Sequence, residues 1–276
     1  MTNESGLRVW RIICAAFLCA SLVHLSISRS KSPDLFPHYQ NPRHLVARKC
    51  QVPGLAALTF DDFPNERIDE LLELLGSWNA TATFFVNGPY DPRDSVLQEE
   101  LLGPRLKKIH RLGHQIASHT YDHINLNTAD QHAFSATMAR FDTWLGGLLG
   151  GGIAGPRYMR APYGECDRAC ALRMTRGGYK VVGWGFDTED WKHHTAQTVH
   201  RAVRRVHDHA AQLQARQIVD LTADIVLMHG FHNTTVTTVA PAVLEALGAV
   251  GYRFVSVAEC LGHPAENWYR KREHGA

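Results

Sequence analysis

Acidic, basic and histidine side chains follow short apolar runs along this sequence, and their types could hold a metal ion and move protons. Two adjacent carboxylates, Asp61 and Asp62, follow one run, and two histidines spaced four residues apart, His119 and His123, follow another. One carboxylate and two histidines form a common metal triad that leaves a position open for water. A second carboxylate beside the triad can take a proton while its neighbour binds the metal. Further candidates follow later apolar runs: Arg160, Asp187, Asp190 and His229.

Each of these residues also has an ordinary structural role open to it. The Asp61–Asp62 pair could cap a helix, and His119 and His123 could be surface histidines. Arg160 could belong to a structural ion pair, and His229 could be a hydrogen-bonded core histidine. What favours a functional site is that all of them follow predicted strands.

The elements that would position these side chains are short β-like runs alternating with amphipathic stretches. The apolar pattern predicts strands at 55–60, 81–86, 115–118, 157–160, 180–186, 225–228 and 253–257. Helical periodicity is clearest in the stripe Ile68, Leu71, Leu72 and Leu75, and helices are also predicted at 167–176, 197–216 and 239–250. Alternation of this kind predicts an α/β fold with about seven mostly parallel strands, open or closed into a barrel. Such sheets build their sites at the C-terminal ends of the strands, where the candidate residues lie.

Composition limits the class of protein. The chain has 276 residues, of which 45% are hydrophobic and 20% are charged, with 22 glycines and 12 prolines. This is an ordinary globular mixture, which argues against a disordered, collagen-like or coiled-coil chain. A formal net charge of +2 gives no reason to expect nucleic-acid binding driven by bulk charge.

The first 28 residues have the pattern of a secretory signal peptide. Arg8 and Arg11 precede an apolar run over residues 12–27, and Ser26 and Ser28 provide a small-x-small cleavage site. An uncleaved signal anchor is the main alternative, and a buried helix fits less well because charged residues bracket the run. Residues 29–49 are predicted to be a linker, residues 50–262 a single domain and residues 263–276 a polar tail.

Four cysteines lie beyond the predicted signal segment: Cys50, Cys166, Cys170 and Cys260. An even number in a secreted chain predicts two disulfides, for which three pairings exist. Cys166 and Cys170 are close enough in sequence for a local bridge, and a Cys50–Cys260 bridge would join the two ends of the domain. A C-x3-C metal site is the weaker alternative. Sequons at Asn79 and Asn233 are compatible with a secreted glycoprotein.

Five segments, in order, resemble the polysaccharide deacetylases of carbohydrate esterase family 4, the NodB-homology domain. They are Thr59-Phe60-Asp61-Asp62, His119-Thr120-Tyr121-Asp122-His123, Arg160-Ala161-Pro162-Tyr163, Asp187-Thr188-Glu189-Asp190-Trp191 and Leu227-Met228-His229. The resemblance covers roughly residues 55–262. Within the family the chain is most similar to fungal chitin deacetylases, judged by Cys166, Cys170 and the ending Cys260-Leu261-Gly262.

The resemblance implies a distorted (β/α) barrel and a divalent metal, usually zinc, with cobalt or another ion as alternatives. The implied metal ligands are Asp62, His119 and His123. Asp61 would be the general base that takes a proton from the attacking water, and His229 would protonate the departing amine.

The remaining roles are implied by the same motifs. Arg160 would orient Asp61, and Asp190 would hold His229 in its charged form. The backbone N–H of Tyr163 would help to stabilise the oxyanion. The pocket for the acetyl methyl would be formed by Trp191 and Leu227.

Two positions depart from the family pattern. After His229 the family often has Asp, and Gly230 stands there; after the paired aspartates the family has Gly-Pro. Phe63-Pro64 stands there instead. Glycine permits backbone conformations that other residues avoid. Phe63 is therefore expected either to strain the loop or to form a stacking platform in the sugar groove.

Three functions remain open at this level. The first is a secreted, metal-dependent deacetylase of chitin or its oligomers, acting outside the cell or in the cell wall as a monomer. The second is a deacetylase with the same site that acts on peptidoglycan or acetylxylan instead. A third is a non-catalytic carbohydrate-binding protein, although a pure binder would need neither Asp61 nor His229. No nucleic-acid partner, and no membrane partner beyond the signal segment, is expected.

Overall fold

The computed structural model describes residues 45–89, 95–215 and 223–272 of the chain. The predicted signal segment and both of its alternatives fall outside these ranges. Within them, the strands are β1 (Val46–Ala47), β2 (Leu55–Asp61), β3 (Thr83–Val86), β4 (Gln115–Ser118), β5 (Ile153–Pro156), β6 (Tyr158–Met159), β7 (Lys180–Val182), β8 (Phe186–Asp187), β9 (Ile225–His229), β10 (Arg253–Val255) and β11 (Tyr269–Lys271).

Helices follow most of the strands. Over the described residues they are α1 (Ile68–Ser77), α2 (Ser95–Arg111), α3 (Gln131–Leu149), α4 (Arg168–Arg176), α5 (Val199–Ala215), α6 (Ala240–Val250) and α7 (Val257–Cys260). Short 3-10 turns cover Pro162–Gly164 and Ala265–Asn267, and a π-helical turn, Thr235–Val239, leads into α6. The described helices include none that is long and apolar enough to cross a membrane.

One parallel sheet contains nine of the strands and curls into a half-barrel. Its order is β1-β7-β6-β4-β3-β2-β9-β8, and β10 pairs with the first half of β2. The chain after β1 reaches the start of β9, since Ile225 N–H donates to the Arg48 carbonyl over 3.2 Å. The predicted α/β barrel with parallel strands is confirmed.

Each of the seven predicted strands overlaps an observed strand, with bounds that differ by a few residues at several ends. The run predicted at 180–186 is interrupted by Gly183-Trp184-Gly185 and forms β7 and β8. Within the segment predicted as a linker, Val46–Ala47 forms β1 and pairs with β7. The segment predicted as a polar tail also contributes structure, since β11 pairs with β5 and Tyr269 is buried. Both segments were too short or too polar to show a periodic pattern.

Successive side chains of β2 point alternately into two hydrophobic clusters, one on each face of the sheet. Ala56, Leu58 and Phe60 belong to the cluster between the sheet and the outer helices. Leu55 and Ala57 face the other way, into a smaller cluster inside the barrel. Burying side chains of this kind contributes roughly 1.5–3 kcal/mol for each large one. Because successive side chains alternate, Thr59 and Asp61 share the inner face with Leu55 and Ala57.

Two disulfides hold the domain. Cys50 is bonded to Cys260, 210 residues away, and Cys166 is bonded to Cys170. Of the three possible pairings, this is the one that combines a local bridge with a bridge between the ends. The structure therefore does not support a C-x3-C metal site.

Candidate active site

Side-chain alternation places the reactive groups at the top of the inner face. Asp61 ends β2 and His229 ends β9, and the two residues are paired in register between these neighbouring strands. His119 directly follows β4, two residues after the inward-facing Ala117. Arg160 directly follows β6, two residues after the inward-facing Tyr158. Four chemically active side chains thereby converge from four strands.

Asp62, His119 and His123 form a compact group of potential metal ligands. The Asp62 Oδ1 atom lies 3.6 Å from His119 Nε2 and 3.4 Å from His123 Nε2. One donor atom from each residue falls within 4.8 Å of the others. The three residues that the sequence predicted as metal ligands therefore lie together in the structure.

The protonation of this group suits a cation. Burial lowers the pKa of both His119 and His123, so both imidazoles are neutral, the form that binds metal ions. Burial raises the pKa of Asp62 to about 6, and the charge of Asp61 adds to the effect. A buried carboxylate beside a second carboxylate is stabilised by a nearby positive ion.

The loops that carry these residues have unusual backbone conformations. Five of the six described non-glycine residues with positive φ lie in loops beside the site: Asp62 (φ 70°), Thr120 (67°), His123 (50°), Tyr163 (60°) and Glu189 (57°). Such conformations cost on the order of 1–3 kcal/mol each and are concentrated at functional sites. The surrounding contacts must therefore hold the side chains where they are.

Arg160 holds Asp61 from below. Its Nη1 atom lies 2.6 Å from Asp61 Oδ1, and both side chains are almost completely buried. The guanidinium also donates to Thr59 Oγ1 over 2.8 Å and to the Gly183 carbonyl over 2.9 Å. Asp61 Oδ2 is left facing the ligand group, 3.9 Å from His119 Nε2.

His229 and Asp190 form a second pair on the opposite side of the site. His229 Nδ1 lies 2.8 Å from Asp190 Oδ1, and Asp190 Oδ2 accepts from the His229 backbone N–H and from Thr235 Oγ1. Burial alone would lower the pKa of His229. The hydrogen bond and charge of Asp190, together with the charges of Asp61 and Asp62, instead raise it to about 9. His229 is therefore protonated at neutral pH.

These groups open into one cavity of about 350 Å³. The floor contains Asp61, Asp62, His119 and His229, and the wall includes Leu227. Aromatic side chains surround the mouth: Tyr163, Trp184, Trp191 and Phe231. Tyr163 is 67% exposed and Trp191 44% exposed, so their surfaces are available to a ligand. Exposed aromatic rings beside a polar floor suit a ligand that has both apolar faces and polar groups.

Comparison with known proteins decides the family. The family model for polysaccharide deacetylases matches residues 48–182. A chitin deacetylase of Colletotrichum lindemuthianum is 32% identical over 254 residues, covering 92% of this chain and 97% of that protein. Its solved structure superimposes with a TM-score of 0.70 at 31% identity, over 82% of this chain and 95% of that one. The chain belongs to the polysaccharide deacetylase family.

A peptidoglycan N-acetylglucosamine deacetylase of Listeria monocytogenes is also similar, at 32% identity over 220 residues. That match covers 78% of this polysaccharide deacetylase but only 40% of the Listeria protein. The relatives and the site together make this chain a hydrolase that acts on amide bonds.

Most residues that the sequence predicted for the deacetylase site line the cavity or contact a residue that does. Asp190 and Arg160 do not line the cavity themselves, but contact His229 and Asp61, which do. Phe63 is the exception: it is half-buried, packs against the outer core and does not line the cavity. Its φ is not positive, so the backbone there does not require glycine. The structure gives Phe63 a packing contact with the outer core, and its contact with a sugar stays a prediction.

Sequence reasoning missed two contributors to the deacetylase site. Trp184 lines the cavity and lies against Gly164, where a Cβ atom would come within 2.6 Å of the indole. The sequence analysis assigned Trp184 to a single strand over 180–186. The glycines on either side of it, Gly183 and Gly185, indicate that the strand is interrupted there. Thr235, which the sequence marks only as the last residue of the sequon at Asn233, supports Asp190.

Proposed function

We propose that this chain is a secreted, divalent-metal-dependent N-deacetylase that removes acetyl groups from N-acetylglucosamine residues of chitin or its oligomers. The observation that carries the proposal is the convergence in one cavity of a three-ligand group, Asp62, His119 and His123, with Asp61 and His229 on either side. A non-catalytic binder would need neither of the two flanking groups.

The donor set fits a metal ion. Two imidazole nitrogens and one carboxylate oxygen are typical of zinc, and also accommodate cobalt. Both imidazoles are neutral and present Nε2 to Asp62. When bound, a divalent ion at this position supplies a Lewis acid that polarises a carbonyl and lowers the pKa of water.

Asp61 is the general base. The ion pair with Arg160 occupies Oδ1, so Oδ2 is the atom that receives a proton from the attacking water. Arg160 is held by Thr59 and by the Gly183 carbonyl, which fixes the direction in which Asp61 points.

His229 is the general acid. Its Nδ1 atom is bonded to Asp190, so Nε2 carries the proton that goes to the leaving nitrogen. The C–N bond of the amide breaks and a C–O bond to the water oxygen forms. Asp61 takes one proton and His229 gives one, and the products are the free amine and acetic acid, which ionises to acetate in water.

Substrate contacts come from the wall and the mouth of the cavity. Trp191 and Leu227 enclose the acetyl methyl group, and the backbone N–H of Tyr163 stabilises the developing oxyanion. Tyr163, Trp191 and Phe231 offer exposed rings on which pyranose faces can pack. The similarity to fungal chitin deacetylases supports chitin as the polymer.

Secretion is part of the proposal. The two disulfides support it, because disulfides persist in oxidising compartments. Export would place the enzyme outside the cell or in the cell wall, where its polymer is found.

The proposal is tested by measuring acetate and free amine from three substrates at saturating Zn²⁺: chitin oligomers, peptidoglycan fragments and O-acetylated xylan. Equal amounts of acetate and amine from chitin oligomers, with slower reaction on the other two, are expected. Preferential release from peptidoglycan or xylan would overturn the choice of polymer. Binding of chitin oligomers without release from any substrate would show a carbohydrate-binding protein instead.

A further inference from the structure

The side chain of Tyr163 lies directly against His123. The Tyr163 hydroxyl oxygen is 3.1 Å from His123 Nδ1 and 3.3 Å from the His123 carbonyl oxygen. The two rings meet edge to face with their centroids 4.7 Å apart. This contact concerns the hydroxyl, whereas the predicted catalytic role of Tyr163 concerned only its backbone N–H.

The two histidines of the ligand group are held from behind by different partners. His119 Nδ1 lies 2.9 Å from the Arg160 carbonyl. A carbonyl oxygen can only accept, so His119 carries its proton on Nδ1 and has a free lone pair on Nε2. A hydroxyl can donate or accept, so the partner of His123 does not by itself fix a tautomer.

The second contact of Tyr163 removes this ambiguity. The hydroxyl donates its proton to the His123 carbonyl, so its oxygen accepts from Nδ1–H of the same residue. His123 Nε2 is then the unprotonated nitrogen, 3.4 Å from Asp62 Oδ1 and inside the ligand group. Both histidines thereby present the same nitrogen to a metal ion.

The loop that carries Tyr163 is fixed on both sides. Tyr163 has a left-handed backbone within a tight turn in which Gly164 N–H donates to the Ala161 carbonyl over 3.1 Å. The disulfide between Cys166 and Cys170 then ties the turn to the first residues of α4. A largely exposed tyrosine is therefore held against His123 by its backbone and by the bridge.

We infer that the Tyr163 hydroxyl is a positioning residue for His123, which selects the Nδ1–H tautomer and the ring orientation that Zn²⁺ binding through Nε2 requires. The inference rests on the proposed function, because it assumes that His123 is a metal ligand. Hydrogen-bond partners behind metal-binding histidines commonly change metal affinity by 10–100-fold.

The variant Tyr163→Phe tests this, since it keeps the ring and removes only the hydroxyl. Zn²⁺ affinity is measured by chelator competition with the full-length metal-free protein, and a 10–100-fold weaker Kd is expected. Tyr121→Phe is the matched control, because Tyr121 lies in the same loop as His123 but packs toward Trp144 and Arg140. The control should bind Zn²⁺ like the wild type.

A spectroscopic measurement separates tautomer selection from a general loosening of the loop. In metal-free wild type, ¹⁵N NMR of the His123 ring should show the Nδ1–H tautomer, and Tyr163→Phe should show a mixture. Unchanged Zn²⁺ affinity and an unchanged tautomer in Tyr163→Phe would overturn the inference. If His123→Ala also kept wild-type Zn²⁺ affinity, the proposed metal centre itself would be wrong, which is a different result.

Discussion

Arg160 and Asp61 form a buried ion pair in which Nη1 lies 2.6 Å from one carboxylate oxygen and leaves the other facing the ligand group. The same guanidinium is fixed by Thr59 and by the Gly183 carbonyl, and stacks over Phe85 at 4.2 Å. The direction of the Asp61 carboxylate is therefore set by contacts that join β2, β3 and the segments directly after β6 and β7.

Replacing Arg160 should disturb both catalysis and folding. Arg160→Gln leaves Asp61 without its fixed partner, and small misplacements of a catalytic group can cost about 100-fold in rate. Removing one member of a buried ion pair also costs about 3–5 kcal/mol of stability. Kinetics and urea unfolding of the zinc-loaded protein measure the two effects. A folded Arg160→Gln protein with wild-type kcat would contradict the orienting role.

Asp61→Asn should remove the base and keep the metal site. The amide is nearly isosteric and its oxygen can still accept from Arg160, but it cannot take a proton from water. Loss of general-base catalysis typically costs 10²–10⁴-fold, so kcat should fall by about that factor. Zn²⁺ content, measured on the same preparation, should be unchanged. If the variant lost zinc instead, Asp61 would be a ligand rather than the base.

The His229–Asp190 pair predicts a pH-dependent contribution to the stability of the metal-free protein. The folded pKa of about 9 lies above the ordinary histidine value of 6.5, so the protonated pair stabilises the fold fully below pH 6.5. That contribution, on the order of 3 kcal/mol, is lost as the pH rises through about 9.

Comparison with His229→Gln isolates this effect from other titrating groups. The difference in free energy of unfolding between wild type and variant should be largest near pH 6 and shrink toward pH 10. Urea unfolding at four or five pH values gives the curve. A difference that stays constant with pH would show that the His229 pKa is not raised.

Phe63 should affect stability rather than substrate binding. It packs against the outer core and does not line the cavity, so Phe63→Leu, which keeps an apolar side chain, should leave KM and kcat unchanged. Phe63→Gly should lower stability by roughly 1–2 kcal/mol through lost packing, with KM still unchanged. A several-fold rise in KM for the leucine variant would return Phe63 to the substrate site.

Much of the site could be predicted because two features are visible in the sequence. Apolar side chains alternate along the strands, and the reactive residues follow the ends of those strands. Inward-facing apolar residues at Ala57, Ala117 and Leu227 each lie on the same face as a reactive side chain further along the chain. The placement of the motifs after successive strands then indicated that the reactive groups would lie at one edge of the sheet. The inner-face position of Asp61 and His229 needed no tertiary information beyond a parallel sheet.

What the sequence could not indicate depends on contacts between distant segments. β1 has two residues and owes its existence to pairing with β7, so it has no periodicity of its own. The contact of Tyr163 with His123 depends on a left-handed backbone conformation at Tyr163. A tyrosine in the sequence does not predict that conformation, as a glycine would. Phe63 looked like a substrate contact because it stands where the family has glycine, but the direction of its side chain is set by packing.

The most direct test is acetate release from chitin oligomers by the protein first stripped of metal and then supplied with Zn²⁺. The convergence of Asp62, His119 and His123 with Asp61 and His229 predicts no release without metal and full recovery when Zn²⁺ is restored. The metal-stripped protein should remain folded, as measured by circular dichroism. Undiminished release from folded, metal-stripped protein, or no release despite bound Zn²⁺, would contradict the proposed mechanism.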